Sequence, residues 1–116
     1  KLLDNYGDIF VKKVFSEYEI KKNKNITFKV SKIAKSFATK EAFVKALGTG
    51  FTKKISFKDI SLKNEENGKP IIDLSNRVQD YLKKKTPNGY KTIINVSISD
   101  EKEYVISNVI ISFQKK

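Results

Sequence analysis

The segment Val30–Gly50 reads VSKIAKSFATKEAFVKALGTG and carries the strongest periodic pattern of the chain. Its apolar residues recur at the three- and four-residue spacing of a helix, and no Gly or Pro interrupts them before residue 48. Gly48 and Gly50 then favour a helix end, because glycine adopts the left-handed conformation of a C-cap without strain. The segment therefore predicts one helix from about Val30 to Leu47. Its apolar stripe consists of Ile33, Phe37, Ala38, Ala42, Val44 and Leu47.

The residues before this segment predict two shorter helices. A stripe of apolar residues at helical spacing opens the chain, and Gly7 bends or breaks it. Ser16 and Glu19 then form the pattern of a capping box, which predicts the start of a second helix. Residues 21–29 are polar and predict a connection. The opening stripe consists of Leu2, Leu3, Tyr6, Phe10, Val11 and Val14.

The residues after the long helix predict two strands and a further helix. Ile55–Leu62 and Ile71–Leu74 are expected to be strands, joined by a turn that contains Gly and Pro. Ser75 is expected to cap a helix that ends at Lys83–Lys85, where the positive charges suit the negative end of the helix dipole.

The last third of the chain predicts a hairpin. Thr92–Ser99 alternates apolar and polar residues, whereas Tyr104–Phe113 is apolar on both faces. A strand of the second kind is typically buried on both sides or lies in a subunit interface. Together the elements predict an α+β fold, with helices packed on a mainly antiparallel sheet, in a single domain over residues 1–116.

The composition excludes several kinds of active site. The chain has 116 residues and contains neither Cys nor His. Disulfides, thiolate or imidazole metal sites, cysteine nucleophiles and serine–histidine triads are therefore impossible within it. Its chemistry must come from carboxylates, Lys, Tyr, Ser, Thr, backbone amides or a hard cation such as Mg²⁺. With no cysteine, and with charge at once in the first residues where a signal peptide would be apolar, a cytoplasmic location is expected.

The charge favours anionic partners without indicating that the protein reads DNA. The formal net charge is +11, but 23 of the 24 basic residues are Lys and only Arg77 is Arg. Arg is the residue most used to read guanine and to clamp phosphate, so a nucleic-acid-binding module is a weak alternative. No apolar run approaches the ~20 residues that cross a bilayer. Neither nucleic acid nor a membrane is therefore the expected partner.

Glu41 is the most informative carboxylate. It lies among apolar neighbours on the face of the predicted helix that also carries Phe37, Lys45 and Gly48. A carboxylate in such a place is costly unless it is paired or binds a cation. The spacing leaves two interpretations open, a cation ligand or an ordinary i,i+4 ion pair with Lys45, and by itself favours the ion pair, worth about 0.2–0.5 kcal/mol.

Four separated motifs, taken in their order along the chain, resemble a known family. They are Phe-Ala-Thr-Lys-Glu-Ala-Phe-Val-Lys-Ala-Leu-Gly-Thr-Gly at 37–50, Ile-Ser-Phe-Lys-Asp-Ile at 55–60, Asn-Gly-Lys-Pro at 67–70 and Val-Ser-Ile-Ser-Asp-Glu-Lys-Glu-Tyr at 96–104. This series resembles holo-[acyl-carrier-protein] synthase, the small 4'-phosphopantetheinyl transferases of bacterial fatty-acid synthesis. The likeness extends over essentially the whole chain.

The resemblance implies a transferase. Such enzymes move the 4'-phosphopantetheine group of coenzyme A onto a serine of apo acyl carrier protein and release adenosine 3',5'-bisphosphate. It implies catalytic roles for Glu41, as a Mg²⁺ ligand, and for Lys45, which would face the coenzyme A phosphates. The alternative is a relative that binds coenzyme A or the carrier protein without transferring anything. The coenzyme A contacts implied by the resemblance are Lys40, Lys45, Gly48, Gly50, Lys69, Pro70, Ser99 and Asp100.

The sequence departs from the family pattern at two places. The family opens with a strand that carries an Asp as the second Mg²⁺ ligand, and that strand is expected upstream of Lys1. The family usually has Arg where Ser36 stands here. We take as a hypothesis that Lys35 supplies the anion contact of that arginine.

The resemblance also implies partners. The family docks its acidic carrier protein on a basic N-terminal helix, and Lys12 and Lys13 fall in that region of this chain. A solvated lysine face is the alternative interpretation of these two residues. The family's relatives are homotrimers with coenzyme A in the cleft between subunits, so a homotrimer is expected.

Overall fold

The computed structural model describes residues 11–22, 30–52 and 55–116. Residues 11–14 are helical, and three longer helices follow in the described ranges. They are α1 (Glu17–Lys22), α2 (Val30–Leu47) and α3 (Asn76–Lys85). Most of the apolar stripe predicted at the start of the chain lies outside the described residues, apart from Val11 and Val14, which are both buried.

The described strands form two antiparallel hairpins. Strand β1 (Ile60–Asn64) pairs with β2 (Pro70–Leu74), and β3 (Tyr90–Asp100) pairs with β4 (Val105–Lys115). The predicted α+β class and the antiparallel pairing are confirmed, although the strands belong to two separate two-stranded sheets rather than to one.

Helix α2 packs on the inner face of the β3–β4 hairpin and forms the main core there. Phe43 and Val44 of α2 are buried against Val78 and Leu82 of α3. Thr39 adds a polar contact, since its Oγ1 lies 2.9 Å from Ser107 Oγ of β4. The core is completed by Ile55 and Ile60, with Ile94, Val109 and Ile111 packed against it from the hairpin.

A second apolar cluster joins α2 to the segment that precedes α1. Val14 and Phe15 are almost completely buried, and Ile33 of α2 packs with them. The two clusters lie along one helix, so α2 connects both parts of the interior. Within the described ranges, none of the helices combines the length and apolar character that a membrane span requires.

The predicted bounds of α2 and α3 are confirmed, whereas the predicted strand Ile55–Leu62 is wrong over its first half. A single turn of 3₁₀ helix occupies Phe57–Asp59, and β1 begins only at Ile60. The cause is local, because the backbone N–H of Ser56 donates to Asp59 Oδ2 at 2.8 Å and closes a turn. A side chain that satisfies the backbone in this way competes with strand pairing.

Asp59 fastens this turn to the start of α3. Its carboxylate accepts hydrogen bonds from Ser75 Oγ at 2.8 Å and from Arg77 Nε and Nη2 at 2.9 and 2.6 Å. Burial alone would raise the pKa of Asp59, but the hydrogen bonds from Arg77, from the Ser56 amide and from Ser75, together with the charge of Arg77, lower it from 3.8 to about 2. The only arginine of the chain therefore has a structural role.

This pKa shift predicts a loss of stability in acid. The ionised Asp59 stabilises the fold fully above about pH 4, and the contribution disappears as the pH falls towards 2, because the folded-state pKa lies below the unfolded one. We expect Asp59→Asn to lower the free energy of unfolding by about 1–2 kcal/mol at pH 7, a value discounted because Arg77 is half exposed.

Urea unfolding of the two proteins between pH 7 and pH 2.5 measures this difference. The difference should shrink towards the acid end of the series. A difference that stays constant over the whole pH range would contradict the role assigned to the ionised carboxylate.

Candidate active site

Helix α2 carries the two residues predicted to be catalytic. Glu41 is partly buried, and Lys45 is exposed one turn further along the helix. The helix ends as predicted, because Gly48 N donates to Val44 O at 2.9 Å and Gly48 has a φ of +87°. Gly50 also has a positive φ, of +65°, and nothing lies within 4 Å of where a Cβ would stand at either glycine. The backbone conformation requires glycine here, and the space beside it is open.

Glu41 is available to a cation. Among the residues that the structure describes, Glu41 forms no ion pair with Lys45 or with any other basic group, so the ordinary i,i+4 pair is not formed. No group of three or more acidic side chains that could hold a metal ion lies together within the same ranges. Glu41 can therefore contribute one carboxylate ligand, and the rest must come from other sources.

Lys40 does not have the role expected of it. Its side chain is fully buried, and its Nζ donates to Glu19 Oε1 at 2.7 Å, to Val14 O at 2.5 Å and to Phe57 O at 3.2 Å. An ammonium group has three N–H donors, so all of them have partners within the protein. Burial lowers the pKa of Lys40, and the charge and hydrogen bond of Glu19 counteract this. The structure thus contradicts the expectation that Lys40 contacts coenzyme A.

A basic cavity lies beside the N-terminal half of α2. Its volume is about 530 Å³, and four lysines from the three elements α1, α2 and β1 line it together with Asp100. Of the residues predicted to bind coenzyme A, the structure brings Pro70 and Asp100 into this cavity. The others lie outside its lining, although Lys69 and Ser99 are exposed directly beside it in sequence. The four lysines are Lys22, Lys32, Lys35 and Lys63.

An ion pair joins two sides of this cavity. Lys35 Nζ of α2 lies 2.9 Å from Asp100 Oδ2 at the end of β3, and each side chain is 37% exposed. A carboxylate repels a phosphate group, so Asp100 is suited to orient Lys35 rather than to contact phosphate. Ser36 also lines the cavity, but its side chain is buried and donates to Glu19 Oε2 at 3.2 Å.

The structure adds residues to the site that the sequence did not indicate. Lys22, Lys32 and Lys63 come from different elements, and no local pattern relates them to one another. Glu19 is found in the predicted capping box, since Ser16 N donates to its Oε1 at 2.9 Å. Its contacts with Ser36 and Lys40 join residues 17 and 21 positions apart, so only the fold could reveal them.

The two residues predicted to dock a carrier protein are accessible. Lys12 and Lys13 are exposed in the helical stretch 11–14, whereas Val11 and Val14 on the same stretch are buried. The stretch is therefore amphipathic, with its basic side turned to solvent.

Comparison with known proteins identifies relatives along nearly the whole chain. A family model described as the 4'-phosphopantetheinyl transferase superfamily matches residues 1–108. The chain is 40% identical over 111 residues to the holo-[acyl-carrier-protein] synthase of Bartonella henselae, which covers 96% of this chain and 84% of that protein. It is 44% identical over 107 residues to the enzyme of the same name from Pelagibacter ubique, covering 92% of this chain and 81% of the relative.

Solved structures that resemble this fold belong to proteins of the same name. The crystal structure of the holo-[acyl-carrier-protein] synthase from Neisseria meningitidis superposes with a TM-score of 0.83 at 29% identity, covering 96% of this chain and 86% of that one. The enzyme of this name from Helicobacter pylori, solved in complex with coenzyme A, gives 0.75 at 32% identity, with coverages of 95% and 87%. On these matches the chain belongs to the 4'-phosphopantetheinyl transferase superfamily, and within it to the holo-[acyl-carrier-protein] synthases.

Proposed function

We propose that this protein transfers 4'-phosphopantetheine from coenzyme A to a serine of apo acyl carrier protein in a Mg²⁺-dependent reaction. A bond forms between the serine oxygen and the phosphorus that carries pantetheine, the serine hydroxyl gives its proton to a carboxylate or a water molecule, and the diphosphate bond of coenzyme A breaks to release adenosine 3',5'-bisphosphate. One observation carries the proposal. Glu41 is a partly buried carboxylate without an ion pair among the described residues, one turn from the exposed Lys45.

The donor set on α2 fits a magnesium ion that is held partly by substrate. Mg²⁺ is usually bound by one or two carboxylates together with substrate phosphates and water, and Glu41 supplies one such carboxylate. When bound, Mg²⁺ neutralises the charge that develops on the diphosphate. The second protein ligand, an Asp expected upstream of Lys1, stays a prediction.

Lys45 and the cavity lysines supply the positive charge that an anionic co-substrate needs. Lys45 is exposed beside the open space at Gly48 and Gly50, where its ammonium group can reach a phosphate. Lys35 offers a second phosphate contact from the basic cavity. Relatives support coenzyme A as the co-substrate, since the enzyme from Helicobacter pylori was solved in complex with coenzyme A and the one from Bacillus anthracis in complex with CoA (3',5'-ADP). Roles for Lys69, Pro70 and Ser99 remain predictions.

Helical geometry favours a coenzyme A site that two copies of the chain share. Each residue of a helix turns by about 100°, so Lys35 and Glu41 lie about 120° apart around α2. The cavity and the metal ligand thus face different directions on one copy. A cleft between subunits would bring the cavity of one copy and Glu41 of another to the same ligand, which is why we include a homotrimer in the proposal.

The outer face of the β3–β4 hairpin offers a surface for such an assembly. Ile106 and Ile110 of β4 are 48% and 62% exposed, and Tyr104 before this strand is 58% exposed. Alternate residues of the same strand pack inward against α2, so β4 is apolar on both faces, as predicted from the sequence. Exposed apolar side chains of this kind are typical of subunit interfaces.

The cytoplasmic location and the single-domain organisation remain predictions.

Glu41→Gln tests the metal ligand. The amide keeps the size of the side chain but loses its charge, so we expect transfer to fall by about 100-fold or more. The measurement is the intact mass of apo acyl carrier protein after incubation with coenzyme A, Mg²⁺ and the full-length protein. EDTA should have the same effect on the wild type.

Asp80→Asn is the matched control for this experiment, because Asp80 is an exposed carboxylate on α3 outside the cavity. It should transfer the group at the wild-type rate. Full activity of Glu41→Gln would remove the metal-ligand assignment, and a wild type that binds coenzyme A without modifying the carrier would leave the binding-only alternative.

Lys35→Ala tests the phosphate contact in the cavity. Loss of one charge-assisted hydrogen bond at a partly exposed site should raise the Michaelis constant for coenzyme A by about 5–10-fold, with little change in kcat. Lys84→Ala removes the same charge from an exposed position of α3 and should leave the constant unchanged. An unaltered Michaelis constant in Lys35→Ala would count against the role of Lys35.

Lys13→Glu tests carrier-protein docking. We expect a higher Michaelis constant for the carrier protein and an unchanged one for coenzyme A, because the change reverses a charge on the docking surface only. Added salt should weaken the wild-type association by screening the same attraction, and it should affect the variant less. A Michaelis constant for the carrier that does not respond to salt would exclude electrostatic docking.

A further inference from the structure

A buried ion pair lies beside the basic cavity, because Glu19 belongs to the cavity lining and pairs with Lys40 of α2. The Lys40 side chain has no exposed surface and that of Glu19 is 6% exposed, with 2.7 Å between Nζ and Oε1. Lys and Glu are almost never fully buried, and removing both charges from water carries a large cost. The proposed transfer reaction uses neither side chain.

The carboxylate of Glu19 joins three elements of the fold. Its Oε1 accepts from Ser16 N at 2.9 Å and from Lys40 Nζ, and its Oε2 accepts from Ser36 Oγ at 3.2 Å and from Leu62 N at 2.9 Å. Within the described residues, no buried polar side-chain atom lacks a hydrogen-bond partner. The pair is therefore completely satisfied, and it holds α1, α2 and β1 together.

Two of these contacts come from α2 and restrict how that helix can move. Ser36 and Lys40 are four residues apart, so they lie one above the other on the same helix face and bind the same carboxylate. Rotation of α2, or a shift along its axis, would break at least one of the two contacts. Glu41 follows Lys40 by about 1.5 Å and 100°, so its direction is set by the same contacts.

We propose that Glu19 and Lys40 are a positioning pair, whose buried ion pair, completed by Ser36, sets the rotation of α2 and thereby the direction of Glu41 and Lys45. This inference rests on the proposed function, because it takes Glu41 and Lys45 as the groups to be positioned. Lys40 is fully buried and cannot reach substrate, and Glu19, which lines the basic cavity with only 6% of its side chain exposed, acts on Glu41 and Lys45 through its contacts with α2. If the pair only stabilised the fold, replacing it would change the stability and leave kcat and metal binding unchanged.

The test removes both charges together. Lys40→Met alone leaves Glu19 buried without its cation and should unfold readily, whereas the double variant Glu19→Gln with Lys40→Met leaves no unpaired charge and keeps similar side-chain volumes. We expect the double variant to stay folded but to unfold at a lower urea concentration than the wild type, because the amide NH₂ replaces an oxygen that accepts a backbone N–H, and Val14 O and Phe57 O lose their donor. We also expect its kcat to fall by about 10-fold or more, with a smaller change in the Michaelis constant for coenzyme A.

A second measurement does not depend on turnover. Mn²⁺ binding in the presence of coenzyme A, followed by the relaxation of water protons, should weaken by about 10-fold in the double variant, since outer contacts of a metal ligand have effects of this size. Thr86→Val is the control, because it removes the hydrogen bonds of Thr86 Oγ1 with Leu82 O and Thr92 Oγ1 at the end of α3 and none with α2 or Glu19. It should lower stability and leave both kcat and Mn²⁺ binding unchanged.

The outcomes separate the two proposals. A folded double variant with wild-type kcat and Mn²⁺ affinity would overturn the positioning role and leave a purely structural pair. If the double variant does not fold, Ser36→Ala replaces it, since it removes one contact and no charge, and a wild-type kcat in that variant would overturn the inference equally. A wild-type protein that transfers nothing would refute the proposed function itself and, with it, the groups to be positioned.

Discussion

The placement of helix α2 is the constraint on which the rest of this structure depends. One face of the helix packs into the main core through Phe43 and Val44, and its N-terminal half packs on Val14 and Phe15. Apolar contacts of this kind resist separation, but they are not directional and tolerate small rotations. The buried carboxylate of Glu19 supplies the missing direction, because its hydrogen bonds are satisfied in only one arrangement of the helix.

The fold could be predicted from the sequence wherever local patterns decide it. Helices α2 and α3 begin and end where periodicity, glycine and the terminal lysines indicate. The strand predicted at Ile55–Leu62 failed because Ser56 and Asp59 form a turn that the alternation of apolar residues does not show. Asp59 is held in that turn by Ser75 and Arg77, which lie 16 and 18 residues further on. A single sequence does not show which residues so far apart come into contact.

The same distinction between local patterns and distant contacts applies to the candidate site. Glu41 and Lys45 could be placed one turn apart on a helix because they are close in sequence. Lys40 was predicted to contact coenzyme A together with Lys45. Successive residues of a helix point about 100° apart, however, and the side chain of Lys40 is buried in the interior. The lysines of the basic cavity come from separate elements, so the cavity exists only in the folded chain.

The near absence of arginine makes the placement of α2 matter more for the site. The only arginine of the sequence is bound to Asp59, so in the proposed site lysines supply the positive charge that faces the phosphate groups. An arginine fork fixes the orientation of a phosphate through two hydrogen bonds, whereas a lysine ammonium acts as a point charge on a flexible stem. Orientation must then come from the relative positions of several charges. Lys35, Glu41 and Lys45 share one helix, and their positions are only as well defined as the attachment of that helix to the fold. A chain that holds its anions with lysine thus gains most from a rigid, directional anchor such as Glu19.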